Sequence, residues 1–152
     1  MEEKERKQAI VFDIDGTLAH MTGRIERRGK KVAPFADWDA HDDDLDPQVS
    51  YFLKLVRNHD KDMSIVICSG RKDSSKDVLI KWLEDNDLGY DRIYMRKHGD
   101  NRPDFTVKKE IYENDIFPEF DVFLVVDDRD QVVNMVRNDL NLKCFQVAEG
   151  NF

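Results

Sequence analysis

The sequence predicts an α/β domain built on a parallel sheet, and three observations carry that prediction. Short apolar runs alternate with stretches of helical periodicity along the chain. The runs lack the polar alternation of a half-solvated strand, which fits a sheet covered on both faces. Two runs end in paired aspartates, Asp13 and Asp15 in one case and Asp127 and Asp128 in the other. Open α/β sheets bind ligands at the carboxyl edge of their strands, where the strand order reverses.

Ala9-Ile10-Val11-Phe12 is the first strand. Asp46-Pro47 reads as an N-cap followed by proline at the first helical position. Val49, Phe52, Leu53 and Val56 then mark the inner face of that helix. Ile65-Val66-Ile67-Cys68 is the second strand, and Val78, Leu79, Trp82 and Leu83 mark a helix that ends near Gly89. Arg92 to Met95 is a weaker third strand, followed by a short helix from Phe105 to Asn114. Val122 to Val126 is the clearest strand. Val132, Val133, Val136 and Leu140 form the last helix face, and Lys143 to Val147 closes the series. Residues 19–45 interrupt this rhythm. They are polar and long for a connection, as expected of a flap or substrate-binding element.

Composition narrows the function. The chain has 152 residues, 40% hydrophobic and 37% charged, enough for one core beneath an ionised surface. No apolar stretch approaches the roughly 20 residues of a membrane-spanning helix, and the charged start does not read as a secretory signal. With 24 basic and 32 acidic residues the net charge is −8, unlike a protein that coats nucleic acid. A local basic patch remains compatible with binding one nucleic-acid end. Cys68 and Cys144 each lie in an apolar run and read as buried thiols of a reducing, cytoplasmic compartment.

Asp13 and Asp15, two residues apart on extended backbone, point the same way, and Gly16 permits a sharp exit from the strand. Asp127 and Asp128 reach the same edge. Four converging aspartates repel one another unless a cation sits among them, and oxygen-only ligands suit Mg²⁺. The second strand ends in Ser69-Gly70-Arg71, whose hydroxyl and amides are suited to a phosphate. Alone that triplet is a turn as readily as a site, and Lys108 alone is an ordinary surface lysine.

Taken together, Asp13-x-Asp15-Gly16-Thr17, Ser69, Lys108 and Asp127-Asp128 resemble the four motifs of the haloacid dehalogenase superfamily, in order. Phe12 to Ala19, Gly23-Arg24, Ser69-Gly70-Arg71, Val107 to Ile111, Asp127-Asp128-Arg129 and the ending Gln146 to Phe152 are more closely similar to the phosphatase domain of phage polynucleotide kinase-phosphatases. The resemblance implies a single doubly wound domain over residues 1–152, with strand order 3-2-1-4-5 and no large cap domain. It also implies a Mg²⁺-dependent polynucleotide 3′-phosphatase acting through an aspartyl-phosphate. Asp13 would be the nucleophile and Asp15 the general acid and base. Ser69 would bind a phosphate oxygen, Lys108 would offset the charge shared by Asp13 and the phosphoryl group, and Arg24 and Arg71 would lie near the substrate. Mg²⁺ would be held by Asp13, the Asp15 backbone carbonyl and Asp127, with Asp128 beside it or acting through water. Asp104 would either orient Lys108 or simply cap its helix.

The run Arg24 to Lys31 carries five basic residues against one acid and lies in the long connection after the first strand, where it would either arch over the site or be a solvated basic loop. The run Asp37 to Asp46 carries six aspartates and should repel polynucleotide, so any nucleic-acid path is one-sided. Arg96, Lys97, His98 and Arg102 offer a second basic rim. The sequence has no Gly-x-x-x-x-Gly-Lys-Ser/Thr loop. The resemblance implies a 3′-phosphorylated nucleic acid end as partner, and the missing loop implies either a stand-alone phosphatase or a separate kinase or ligase chain beside it. Two rival readings remain at this point: a superfamily phosphatase for small nucleotides or phosphoproteins, and a non-catalytic subunit that binds phosphorylated ends.

Overall fold

The computed structural model describes residues 5–22 and 37–152. Five parallel strands form the main sheet: β1 (Lys7–Phe12), β4 (Ser64–Lys72), β5 (Arg92–Arg96), β6 (Phe120–Asp127) and β7 (Cys144–Gln146), ordered β5-β4-β1-β6-β7. This is the expected 3-2-1-4-5 order, with no large cap domain among the described residues. A two-residue antiparallel ladder joins β2 (Ala19–His20) to β3 (Asp44–Leu45). It brings the two ends of the long connection together.

Side-chain alternation along β1 explains why the sheet is covered twice. Ile10 and Phe12 enter one core with Ile65, Ile67, Leu124 and Val126. Ala9 and Val11 enter the other with Val66, Cys68 and Val125. On the first face lie α1 (Pro47–His59), through Val49 and Leu53, and α2 (Lys76–Asp85), through Leu79, Trp82 and Leu83. On the second lie α3 (Asp104–Ile111) and α4 (Asp130–Asn134). Asp46 caps α1 as expected, its Oδ1 accepting from the Val49 N–H at 2.8 Å ahead of Pro47.

Two details depart from the sequence pattern. Strand β4 runs on to Lys72, so Ser69, Gly70 and Arg71 belong to the strand itself, with an irregularity in its pairing to β5 between Ser69 and Lys72. Helices α3 and α4 are shorter than their apolar periodicity, because each passes into a wider π-helical turn, at Tyr112–Ile116 and Met135–Asp139.

The topology decides where the site sits. After β1 the chain builds β4 and β5 on one side, then crosses to build β6 and β7 on the other. The reversal falls between β1 and β6, so the residues that leave these two strands share one crevice.

Candidate active site

Asp13 follows directly on β1, and Asp127 is the last residue of β6, with Asp128 next. Both strands are anchored in the core, and this rigidity brings three buried carboxylates together. Oxygens of Asp13, Asp127 and Asp128 lie within 4.8 Å of one another. The Asp128 and Arg129 N–H groups donate to Asp127 Oδ1 at 2.8 and 3.1 Å, fixing that carboxylate. The Thr17 hydroxyl lies 3.1 Å from Asp13 Oδ2 and 3.4 Å from Asp128 Oδ1. Gly16 makes this approach possible. Its φ is +80°, and a Cβ there would lie 2.1 Å from Asp128 Oδ2.

Lys108 projects from α3 into the same crevice. Its Nζ donates to Asp13 Oδ1 at 2.8 Å and to Asp127 Oδ2 at 3.0 Å, with Asp104 Oδ2 at 3.7 Å. Burial works against this ammonium, but Asp104, Asp127 and Asp13 together outweigh it and hold its pKa well above the lysine range. Asp13 is raised above the carboxylate range, first by burial and next by the Asp127 charge, while Lys108 offsets part of that rise. Three close, buried carboxylates are an arrangement whose repulsion a small divalent ion relieves, and their all-oxygen donor set fits Mg²⁺.

Asp15 takes another direction. It lines the same cavity, but its carboxylate accepts from Arg71 at 3.0 Å from Nε and 2.7 Å from Nη2. Its side chain therefore stands apart from the three-carboxylate cluster. The same Arg71 Nη2 donates to Asp43 Oδ2 at 2.9 Å. Ser69 is fully buried at the end of the apolar part of β4, and its hydroxyl oxygen accepts from the Arg71 N–H at 3.1 Å. Gly70 and Arg71, the next residues, form that part of the cavity wall.

The cavity measures about 390 Å³ and opens over Asp13, Asp15 and Asp128. Asp104 is the first residue of α3 but caps nothing with its side chain. Its carboxylate lies 3.7 Å from Lys108 Nζ and accepts from Arg96 Nη2 at 3.4 Å. Of the expected second basic rim, Arg96 and Arg102 line the cavity, yet both are engaged. Arg96 donates to the carbonyls of Gly70, Asp100 and Arg102. Arg102 pairs with Asp100 and Glu110. Arg24 and the rest of the basic run to Lys31 fall outside the described residues.

Asp43 is the residue that sequence reasoning misplaced. It belongs to an acidic run read as a repulsive, solvated surface, yet it is buried beneath Arg71. The Trp82 indole N–H donates to its backbone carbonyl at 2.8 Å, which pins this segment to α2. Thr17 was part of the motif, but its bridging position between two carboxylates was not legible.

Comparison with known proteins agrees with this geometry. A family model described as the polynucleotide kinase PNKP phosphatase domain matches residues 7–152. The chain is 30% identical over 132 residues to a protein of Autographa californica nuclear polyhedrosis virus named as a bifunctional polynucleotide kinase/RNA ligase, covering 84% of this chain and 17% of that protein. Among solved structures, a chain of a Pnkp1/Rnl/Hen1 complex superposes with a TM-score of 0.86 at 30% identity, covering 99% of this chain and 49% of the other. A chain of the Pnkp1/Rnl/Hen1 RNA repair complex superposes at 0.87 with 31% identity, covering 100% and 46%. The chain thus spans about half, or less, of each of these relatives. No helix among the described residues is long and apolar enough to cross a membrane.

Proposed function

The chain belongs to the family of polynucleotide kinase PNKP phosphatase domains, and from that premise we propose that it removes the 3′-phosphate from a polynucleotide end in a Mg²⁺-dependent reaction. The observation that carries this reading is the buried carboxylate Asp13, held by Lys108 at 2.8 Å beside Asp127 and Asp128. A site for binding alone has no use for a buried nucleophile backed by a lysine.

Asp13 attacks phosphorus through a carboxylate oxygen, the bond from phosphorus to the 3′ oxygen breaks, and an aspartyl-phosphate forms. Asp15, on the cavity wall, gives its proton to the departing 3′ oxygen. It then takes a proton from the water that attacks phosphorus, and Asp13 is released with inorganic phosphate. Arg71 holds the Asp15 carboxylate in place through two hydrogen bonds. Lys108 offsets the charge that Asp13 and the phosphoryl oxygens share, and Ser69 presents its hydroxyl to a phosphate oxygen. Mg²⁺ would be held by Asp13, Asp127 and Asp128, with the Asp15 carbonyl, and would supply positive charge against the phosphoryl oxygens.

In this reading residues 1–152 act as one catalytic domain, with 19–45 as a flap whose two ends meet in the β2–β3 ladder, and Arg24 is a substrate-binding residue. The open cavity admits a macromolecular end. A kinase and a ligase act beside it, by analogy with the names of the relatives, in a cytoplasmic setting that suits two free, buried thiols.

A substrate panel tests the proposal. Phosphate release from 3′-phosphorylated oligonucleotides, 5′-phosphorylated ones, free 3′-mononucleotides and phosphopeptides should be measured with Mg²⁺ and with EDTA. Release should be greatest from the 3′-phosphorylated oligonucleotide and should disappear in EDTA. Equal or faster release from mononucleotides or phosphopeptides would move the assignment to a small-molecule or protein phosphatase.

A further inference from the structure

Five aspartates and four arginines are among the residues that line the cavity, a set suited to a phosphoryl group and its ions. Phe152 is the aromatic side chain among the described lining residues. Resting on the 3′-phosphatase reading, we propose that the Phe152 ring is a platform on which the base of the 3′-terminal nucleotide stacks, so that the site selects a nucleoside beside the scissile phosphate.

The ring is exposed yet held in place. Phe152 is 63% exposed, so much of its ring surface is free for a ligand. The Arg129 guanidinium lies over one face, 5.2 Å from the ring centroid, and Phe152 lines the cavity. Arg129 Nε also donates to the Phe152 carbonyl at 2.9 Å.

The segment leading to the ring is fastened to the metal-binding loop at successive points. The Val147 N–H donates to the Asp127 carbonyl at 3.1 Å, Gln146 Nε2 donates to the Asp128 carbonyl at 2.9 Å, and the Asp130 N–H donates to the Gly150 carbonyl at 3.0 Å. Gly150 sits so close that a Cβ would lie 1.9 Å from the Asp128 carbonyl oxygen. The backbone that carries Phe152 is therefore seated directly on the loop that carries two carboxylates of the site. A ring held at a set position from Asp128 can fix a base while the phosphate meets Asp13.

A cavity of about 390 Å³ lies in the size range of small-molecule sites, larger than phosphate alone requires. Every base has a π face, so stacking of this kind accepts all four bases.

The test compares 3′-phosphorylated oligonucleotides whose last nucleotide carries a base or a tetrahydrofuran abasic analogue. Wild-type kcat/KM should be roughly 10-fold higher with the base, within the range that base–aromatic stacking supports. Phe152→Leu should bring that ratio close to one, mainly through KM, and Phe152→Trp should restore it. The same ratio measured as binding affinity in an Asp13→Asn background reads stacking without turnover. A base-to-abasic ratio that is the same in wild type and Phe152→Leu, in rate and in affinity, overturns the stacking role and leaves the phosphatase reading standing. Wild-type protein that releases no 3′-phosphate overturns the phosphatase reading, whatever the binding ratio shows.

Discussion

Lys108 Nζ lies 2.8 Å from Asp13 Oδ1, although 95 residues separate the two in the chain. The pair joins the end of the first strand to the third helix and sets both the charge and the position of the proposed nucleophile. Asp13→Asn should leave no measurable turnover, because an amide does not attack phosphorus. Beryllium fluoride should form an acyl-phosphate mimic on wild-type Asp13 and not on the variant, a difference readable by ¹⁹F NMR.

Lys108→Ala should lose activity severely. It should also cost on the order of 3–5 kcal/mol of stability without Mg²⁺, since it leaves buried carboxylates without their cation. Lys109 is the control. Among the described residues its half-exposed side chain reaches Glu113 and Asp139, both exposed, so Lys109→Ala should change stability by less than about 0.5 kcal/mol. Chemical denaturation and phosphate release on both variants decide the point.

Asp15→Asn should slow release from a 3′-phosphate end by roughly 10²–10⁴-fold, the usual contribution of a general acid and base. The loss should be smaller with p-nitrophenyl phosphate, whose leaving group needs no proton. Equal losses on the two substrates would remove leaving-group protonation from the role of Asp15.

Gly16→Ala places a methyl group on Asp128 at a φ that alanine rarely adopts. Asp128 must shift, and displacements of about 1 Å in a site typically cost ~10²-fold in rate. Mg²⁺ affinity should weaken along with kcat, as calorimetric titration would show.

Mg²⁺ should raise the unfolding temperature, and at 100 times its dissociation constant the gain is about 2.7 kcal/mol. Asp127→Asn should reduce that gain, and EDTA should abolish both the gain and the activity. Ca²⁺ should stabilise the protein but support little turnover, because its looser coordination misplaces the nucleophile.

Burial, the largest effect on each, pushes the Cys68 thiol from near 9 up to about 12 and the Cys144 thiol up to about 11. The folded state therefore favours the neutral thiols. Their contribution to stability is complete below the unfolded value and is lost as pH rises from about 9 toward the folded values. Native protein should resist iodoacetamide at mildly alkaline pH and react at both cysteines once unfolded. Fast native alkylation would place a thiol nearer the surface than the fold does.

Much of the architecture and the reacting centre can be read from local patterns. Apolar runs such as Ile10 to Phe12 and Leu124 to Val126 specify strands by themselves, because only a sheet covered on both faces buries side chains on alternate sides. The aspartates at their ends follow, since a strand end is a local property, whereas Lys108 joins them in the sequence only through the resemblance in motif order; the structure sets it on Asp13 and Asp127 and leaves Asp15 to Arg71. Tertiary structure decided what depends on the crossover between β1 and β6. It placed Asp43, a member of an acidic run, under Arg71 from 28 residues away. It spent the Arg96 guanidinium on backbone carbonyls rather than on a basic rim. It also brought Phe152 to the wall of a cavity that begins at Asp13. Charge and hydropathy along a chain describe each side chain against water, whereas these positions are set by which groups meet when strands from distant parts of the sequence lie side by side.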